Sequence, residues 1–309
     1  MKICAVVVTY NRKKLLIECV NAIIKQSVDV FKLIIIDNNS TDGTYEYLQE
    51  NGILKNDSVI YKKLDENIGG AGGFYEGIKH AESLGVDWVW IMDDDTIPEK
   101  TCLEGLCKAI PIISDDISYL ASSVCGMNGD IMNIPTVATY DGKSFNRLWS
   151  KYLADGIIEI TEATFVSLLI NAKAIKQVGY PYKNYFIWGD DTEYTLRLVN
   201  YYGKAFLVGN SKAIHKREGS QSLSIVEETN PRRIDFYYYM VRNNYVNIKT
   251  YYGYKRLIKY ILKWNKIILV VLFSKSKNKF KKISRIIKGL ADAIIGKYGY
   301  KDFKNRFKI

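Results

Sequence analysis

Apolar runs in the first hundred residues are short, rich in β-branched side chains, and closed by polar clusters. Residues 3–9 (ICAVVVT), 32–36 (KLIII), 58–63 and 88–92 (WVWIM) read as strands on this pattern. Between them, Leu15, Leu16, Cys19, Val20, Ile23 and Ile24 recur at helical spacing, and residues 74–83 form a second helical stretch behind a glycine-rich segment at 67–73. Strands alternating with helices predict right-handed crossovers and an α/β fold, a mainly parallel sheet with helices on both faces. All four strand ends then face one crevice, where open α/β sheets bind their ligands. Farther along, 100–110 reads as a helix stopped by Pro111, 118–124 and 163–171 as strands, and 231–253 as a helix of high aromatic density.

The strand at 88–92 ends in Asp93, Asp94 and Asp95. Three adjacent carboxylates repel one another unless a cation neutralises them, and oxygen donors suit Mg²⁺ or Mn²⁺, whose shell substrate phosphates complete. A solvated acidic turn would carry the same letters. The other strand ends offer what a nucleotide needs. Thr9 and Asn11 can bond a base edge, Arg12 can meet a phosphate, and Asp37 can accept bonds from a base or ribose, or serve as a turn acid. In NIGGAGG, Asn67 and Gly69 open a helix start where backbone can approach an anion. The stretch fits neither GxGxxG nor GxxxxGK[ST], and a flexible connector would look similar.

A second dense cluster is FIWGDDTEY at 186–194. Asp190 or Asp191 can cap the helix that follows, and Glu193 falls in its first turn. Capping accounts for one acid, not for three beside two aromatics. A carboxylate in a partly apolar pocket can serve as a base towards a hydroxyl. His215 lies 24 positions after Asp191. Its neutral imidazole suits Mn²⁺-like ions, although an isolated histidine is more often structural.

Composition narrows the classes. Of the 309 residues 48% are apolar, enough for a large core, and five scattered cysteines show neither a zinc spacing nor a disulfide framework. The start of the chain enters a strand without a secretory pattern, and Ile267–Phe273 is too short to span a bilayer, so a cytoplasmic protein is expected. The net charge of +11 is uneven: residues 254–309 hold 17 of the 44 basic and two of the 33 acidic side chains. Their apolar and cationic positions alternate at helical spacing, which suits an anionic membrane surface that Ile, Leu, Phe and Trp264 would enter, or a homo-oligomer interface. Nucleic acid is not expected, because no nucleic-acid motif accompanies the charge and the rest of the chain is mildly acidic.

TYNR at 9–12, IIIDNNSTDGT at 34–44, NIGGAGGF at 67–74 and MDDDTIP at 92–98 together resemble the GT-A glycosyltransferases of family 2. With FIWGDDTEY and the following histidine, the form is most similar to bacterial galactofuranosyltransferases, with rhamnosyltransferases using dTDP-rhamnose as near rivals. The resemblance implies a GT-A domain over about 1–220 and a lid with a basic, membrane-associating helical region over 221–309. It implies inverting transfer of a hexose from a nucleotide diphosphate sugar, UDP-galactofuranose favoured, to a growing, lipid-linked glycan at the inner membrane face. By the same resemblance Asp93, Asp95 and His215 hold Mn²⁺ or Mg²⁺, Asp94 faces the donor sugar, and Asp191 is the base. Asp190, Glu193 and Trp188 would shape the acceptor site. The segment 126–160 would add an acceptor loop near Trp149, and 216–230 a lid. Tyr238, Tyr239, Arg242 and Asn243 match an element that follows such domains, where Arg242 would touch diphosphate or acceptor. One departure is Gly189, where the pattern has Trp directly before the acid pair. A catalytically silent sugar-nucleotide scaffold, or a nucleotidyltransferase, would use the same sheet; the latter lacks support because TYNRKKLL has no glycine loop.

Overall fold

The computed structural model of the chain describes residues 1–139, 148–217 and 224–297. Strand β1 (Ile3–Thr9) leads into α1 (Lys13–Ile24), β2 (Lys32–Asp37), α2 (Thr44–Glu50), β3 (Val59–Lys63), α3 (Gly69–Ser83) and β4 (Trp88–Asp93). A short β5 (Thr96–Pro98) and α4 (Cys102–Ala109) precede β6 (Ile117–Cys125), β7 (Ile131–Met132) and β8 (Thr136–Val137). Then come β9 (Ile157–Glu162), β10 (Leu168–Asn171), α5 (Ala172–Val178), α6 (Asp190–Tyr201) and β11 (Lys204–His215). Three helices, α7 (Pro231–Tyr251), α8 (Tyr254–Phe273) and α9 (Lys279–Ile294), follow.

The sheet order is β3-β2-β1-β4-β10-β6-β11-β9-β8, with β5 against β11 and β7 against β6. Strands β3, β2, β1 and β4 are parallel, as the alternating pattern predicts. The sheet as a whole is mixed, because β10 enters antiparallel between β4 and β6. The apolar run at 163–171 yields only the four-residue β10; the backbone turns at Ser167, φ 58°, before the strand begins.

Alternation along each central strand feeds two cores. Ile3, Ala5 and Val7 of β1, with Trp88, Trp90 and Met92 of β4, pack beneath α1 and α4. Cys4, Val6 and Val8, with Val89 and Ile91, pack beneath α3, α5 and α6. The glycines of 67–73 turn out to serve this second layer: they form the first turn of α3. A Cβ on Gly73 would stand 2.4 Å from Val8 Cγ1, so glycine there lets the helix lie close on β1. The C-terminal helices have their own apolar clusters, Ile225, Tyr237, Val241, Trp264 and Ile286 in one and Tyr245, Val246, Leu257 and Ala293 in the other. Asn230 caps α7 by accepting bonds from Arg232 N and Arg233 N, with Pro231 at the first helical position.

Candidate active site

The carboxyl ends of β1, β2, β4 and β11 meet at one edge. Thr9 pairs with Asp37 across β1 and β2, Val8 with Asp93, and His215 closes β11 opposite Thr96 of β5. Thr9 Oγ1 donates to Asp94 Oδ2 at 2.7 Å, and Arg12 Nη1 reaches Asp94 Oδ1 at 3.2 Å and Asp95 Oδ2 at 2.7 Å. Asp95 Oδ1 lies 3.1 Å from His215 Nε2, whose ring partner Nδ1 is 2.8 Å from Asn133 Oδ1. Asn133 donates its own amide hydrogen to Thr164.

These contacts divide the triplet electrically. Burial first, then the neighbouring Asp95 and Asp94 charges, pushes Asp93 well above the usual carboxylate range. Burial also lifts Asp94 to about 6, against the opposing pull of Arg12 and Thr9. Asp95 is buried too, yet the hydrogen bond and charge of His215, with Arg12, hold it below its ordinary value. Asp95 is therefore the member kept ionised.

The Asp95–His215 pair fits a divalent cation. His215 Nδ1 faces Asn133 Oδ1 while Nε2 and an Asp95 oxygen converge on one another, as two ligands of one cation do. Asp93 does not join the pair: among the described residues no three His, Cys, Asp or Glu side chains form a metal-holding cluster. One carboxylate and an imidazole leave positions for substrate phosphates, the usual arrangement for Mg²⁺.

The second acid cluster opens α6. Asp191 is partly exposed and accepts from Thr192 N at 2.7 Å. Asp190 is buried; desolvation and the adjacent Asp191 push its carboxyl up to about 8. Asp190 is near enough to Asp93 for its charge to raise that group, whereas Asp191 is raised by burial and by Glu162. Asp190 is thus close enough to Asp93 for the two carboxylates to sense each other's charge. The loop that delivers the pair has left-handed backbone at Phe186 (φ 65°), Trp188 (φ 61°) and Gly189 (φ 95°). Gly189 stands where the family pattern has Trp, and its φ favours glycine.

Asn243 and Asn247 of α7, one helical turn apart, hold this loop. Asn243 Nδ2 donates to the carbonyls of Tyr185, Ile187 and Trp188 at 3.0, 3.2 and 2.9 Å. Asn247 Nδ2 donates to Gly189 O at 2.8 Å and its Oδ1 accepts from Tyr185 OH. Phe186 O in turn accepts from Ala71 N at 3.1 Å, tying the loop to α3. The sequence reading missed Asn247; an i, i+4 asparagine pair on a helix was its available signal.

Several expected contacts are corrected. Thr9 Oγ1 donates to Asp94, and each Asp94 oxygen already accepts one hydrogen bond within the protein. Asn11 Oδ1 accepts from Thr41 N, and Asp37 accepts from Ser40 N and from the Tyr61 hydroxyl; both brace the β1 and β2 loops. Arg12 meets Asp94 and Asp95 rather than standing apart, but half its side chain is exposed to the crevice. Asn67 Oδ1 accepts from Gly69 N, and the space beside Gly69 is filled by the Phe186 carbonyl. Glu193 is buried against Arg197 and Tyr251, and Trp188 packs edge-on against Phe236 and Tyr237, so both support the fold. Arg242 donates to Asn184 O rather than reaching the strand ends. Trp264 is buried rather than exposed to a surface. Residues 140–147 of the expected acceptor loop, 218–223 of the expected lid and 298–309 of the basic tail lie outside the described residues.

Comparison with known proteins agrees with this geometry. The family model for glycosyl transferase family 2 matches residues 4–164, and the chain belongs to that family. Galactofuranosyltransferase GlfT1 of Mycolicibacterium smegmatis is 30% identical over 204 residues, 64% of this chain and 65% of that protein. The matched stretch thus spans just under two thirds of that relative's length. Glycosyltransferase GlyG of Streptococcus pneumoniae is 29% identical over 113 residues, 35% of each chain. Among solved structures, GalNAc-T7 with UDP, GalNAc and Mn²⁺ superposes with TM-score 0.62 at 15% identity, covering 99% of this chain and 58% of that one. Staphylococcus aureus TarS 1–349 in complex with UDP-GlcNAc gives 0.52 at 16%, covering 96% and 92%. These neighbours establish a GT-A fold.

Proposed function

We propose that the protein is a metal-dependent, inverting hexosyltransferase that moves galactofuranose from UDP-galactofuranose to a growing, lipid-linked glycan. The observation that carries this reading is the meeting of two acid clusters at one crevice, one holding Asp95 between Arg12 and His215, the other bringing Asp191 on a clamped loop. Similarity to GlfT1 supports the choice of sugar. The braced β1 and β2 loops around Asn11 and Asp37 would receive the nucleotide, with Arg12 and Asn67 at the rim. A divalent ion on Asp95 and His215, beside Asp93, would offset the diphosphate charge that grows as the sugar departs.

In the proposed step the acceptor oxygen bonds to the anomeric carbon and its proton passes to the Asp191 carboxylate. The bond from that carbon to the diphosphate oxygen breaks, and the electron pair leaves on UDP. Partial exposure lets Asp191 meet an acceptor, and its raised proton affinity suits a base. A second reading assigns the base to Asp190, because its charge is the one felt at Asp93. Asp191→Asn and Asp190→Asn, compared for sugar transfer, separate the two.

Membrane association is part of the proposal. On α8, Leu257, Trp264 and Val271 face the neighbouring helices while Ile258, Leu262, Leu269 and Phe273 are exposed among Lys255, Lys259, Lys263 and Lys266. No helix among the described residues is long and apolar enough to cross a membrane. A helix lying in an anionic interface has this form. The test is donor selection across UDP- and dTDP-sugars with Mn²⁺, Mg²⁺ or EDTA. Preference for dTDP-rhamnose would move the enzyme to the rival subfamily, and failure of every nucleotide to bind with metal would overturn the enzymatic reading.

A further inference from the structure

A cleft of about 730 Å³ lies between the loop at 66–68, the segment 183–186, and helices α7 and α9. None of Arg12, the acid triplet or His215 lines it. Five cations do, Lys183, Arg242, Arg285, Lys288 and Lys297, against two acids, Glu66 and Asp235. Asp235 is already paired with Arg285 and Lys281. Lys183, Arg242, Lys288 and Lys297 have no ion pair among the described residues. One wall is aromatic: Phe186 stacks on Tyr239 with ring centres 4.8 Å apart, and Lys288 lies 5.5 Å from the Tyr238 ring centre.

Unpaired cations of one sign gathered in a concave, aromatic-walled space favour an anion of more than one charge. The cleft also shares Phe186 with the loop that carries Asp190 and Asp191, and Asn67 with the rim of the crevice. Its far wall, α9, packs on α8, the helix with the exposed apolar residues. We propose that this cleft is a second anion subsite that holds the phosphate or diphosphate carried by the acceptor, fixing its far end while the reacting hydroxyl reaches Asp191. The acceptor assignment rests on the glycosyl-transfer reading. The donor diphosphate is served by Arg12, Asp95 and His215, so the cleft supplies a second, independent phosphate site.

The test uses the full chain saturated with UDP, with Mg²⁺ in excess over all phosphate. Inorganic pyrophosphate, geranyl diphosphate, geraniol and glucuronate are titrated by calorimetry against the native protein and the K183Q/K288Q variant, whose altered side chains are both exposed. Both diphosphates are expected to bind saturably, and K183Q/K288Q to weaken them about tenfold or more while leaving UDP binding unchanged. Tighter binding of geranyl diphosphate than of pyrophosphate identifies a lipid-borne group; equal binding identifies the phosphate group alone. The proposal is overturned if neither diphosphate binds the UDP-loaded protein, if glucuronate or geraniol binds as well as they do, or if K183Q/K288Q binds them unchanged. Should UDP itself fail to bind while the diphosphates still do, the glycosyl-transfer reading falls and the anion site stands.

Discussion

At the end of β4 two of the three carboxylates, Asp94 and Asp95, are held by partners from other elements, whereas at the start of α6 two carboxylates lie side by side with backbone amides and little else. Thr9, Arg12 and His215 bring hydroxyl, guanidinium and imidazole to the first group, and Asp95 is kept ionised as a result. Among the described residues no cation pairs with the second group, and burial drives Asp190 and Asp191 towards the protonated form. The difference separates two kinds of work. Asp95 in the first group is set to hold charge, the second group to exchange a proton.

Substitutions that equalise the groups should cost most. Asp191→Asn is expected to lower transfer by about 10²- to 10⁴-fold, the usual worth of a positioned base, with UDP binding retained. Retention of most of the rate would remove Asp191 from that role. Asp95→Ala takes the shared partner from Arg12 and His215. Metal-dependent UDP affinity, measured by calorimetry with and without EDTA, should fall about 10- to 100-fold or more, since loss of even a supporting partner costs that much.

Smaller effects sharpen the contrast. Asn247→Ala withdraws a part-buried hydrogen bond from the Gly189 carbonyl and a buried one from Tyr185; about 1–3 kcal/mol of stability should be lost in urea unfolding. The transfer rate should fall with it, while UDP affinity stays. A further effect is electrostatic. Asp190 binds its proton more tightly folded than unfolded, so between about pH 4 and pH 8 the folded state holds a proton that the unfolded state has released, and stability falls as pH rises through that window. Asp190→Asn should flatten this slope; an unchanged slope would place the effect elsewhere.

Much of the first hundred residues was legible because β1, β2 and β4 are buried on both faces and α1 on one, so periodicity separates them. Strand direction was not: the three apolar residues at 168–170 carry no mark that they run against β4, and a mainly parallel sheet was expected. The acid clusters were legible as clusters. The bonds within them were not. Thr9 and Asp94 are 85 positions apart in the chain, and nothing local in either says that they satisfy one another. Glycine at 69–73 was legible as necessary and misread as to cause, because tight packing of a helix on a strand and a backbone opened to a ligand call for the same residue.

The insertion of β10 beside β4 bears on how the chain is made. Strand β4 is complete at Asp93, but the partner that covers its open edge ends at Asn171, 78 residues later. At roughly 5–20 residues per second, a nascent chain carries the unpaired WVWIM edge for about 4–16 s before β10 exists. That edge is apolar and hydrogen-bond hungry, the kind that pairs with other chains. A holdase at the ribosome, or slower aggregation when Asn171 is brought nearer in circular permutants, would make this interval visible as yield rather than as activity.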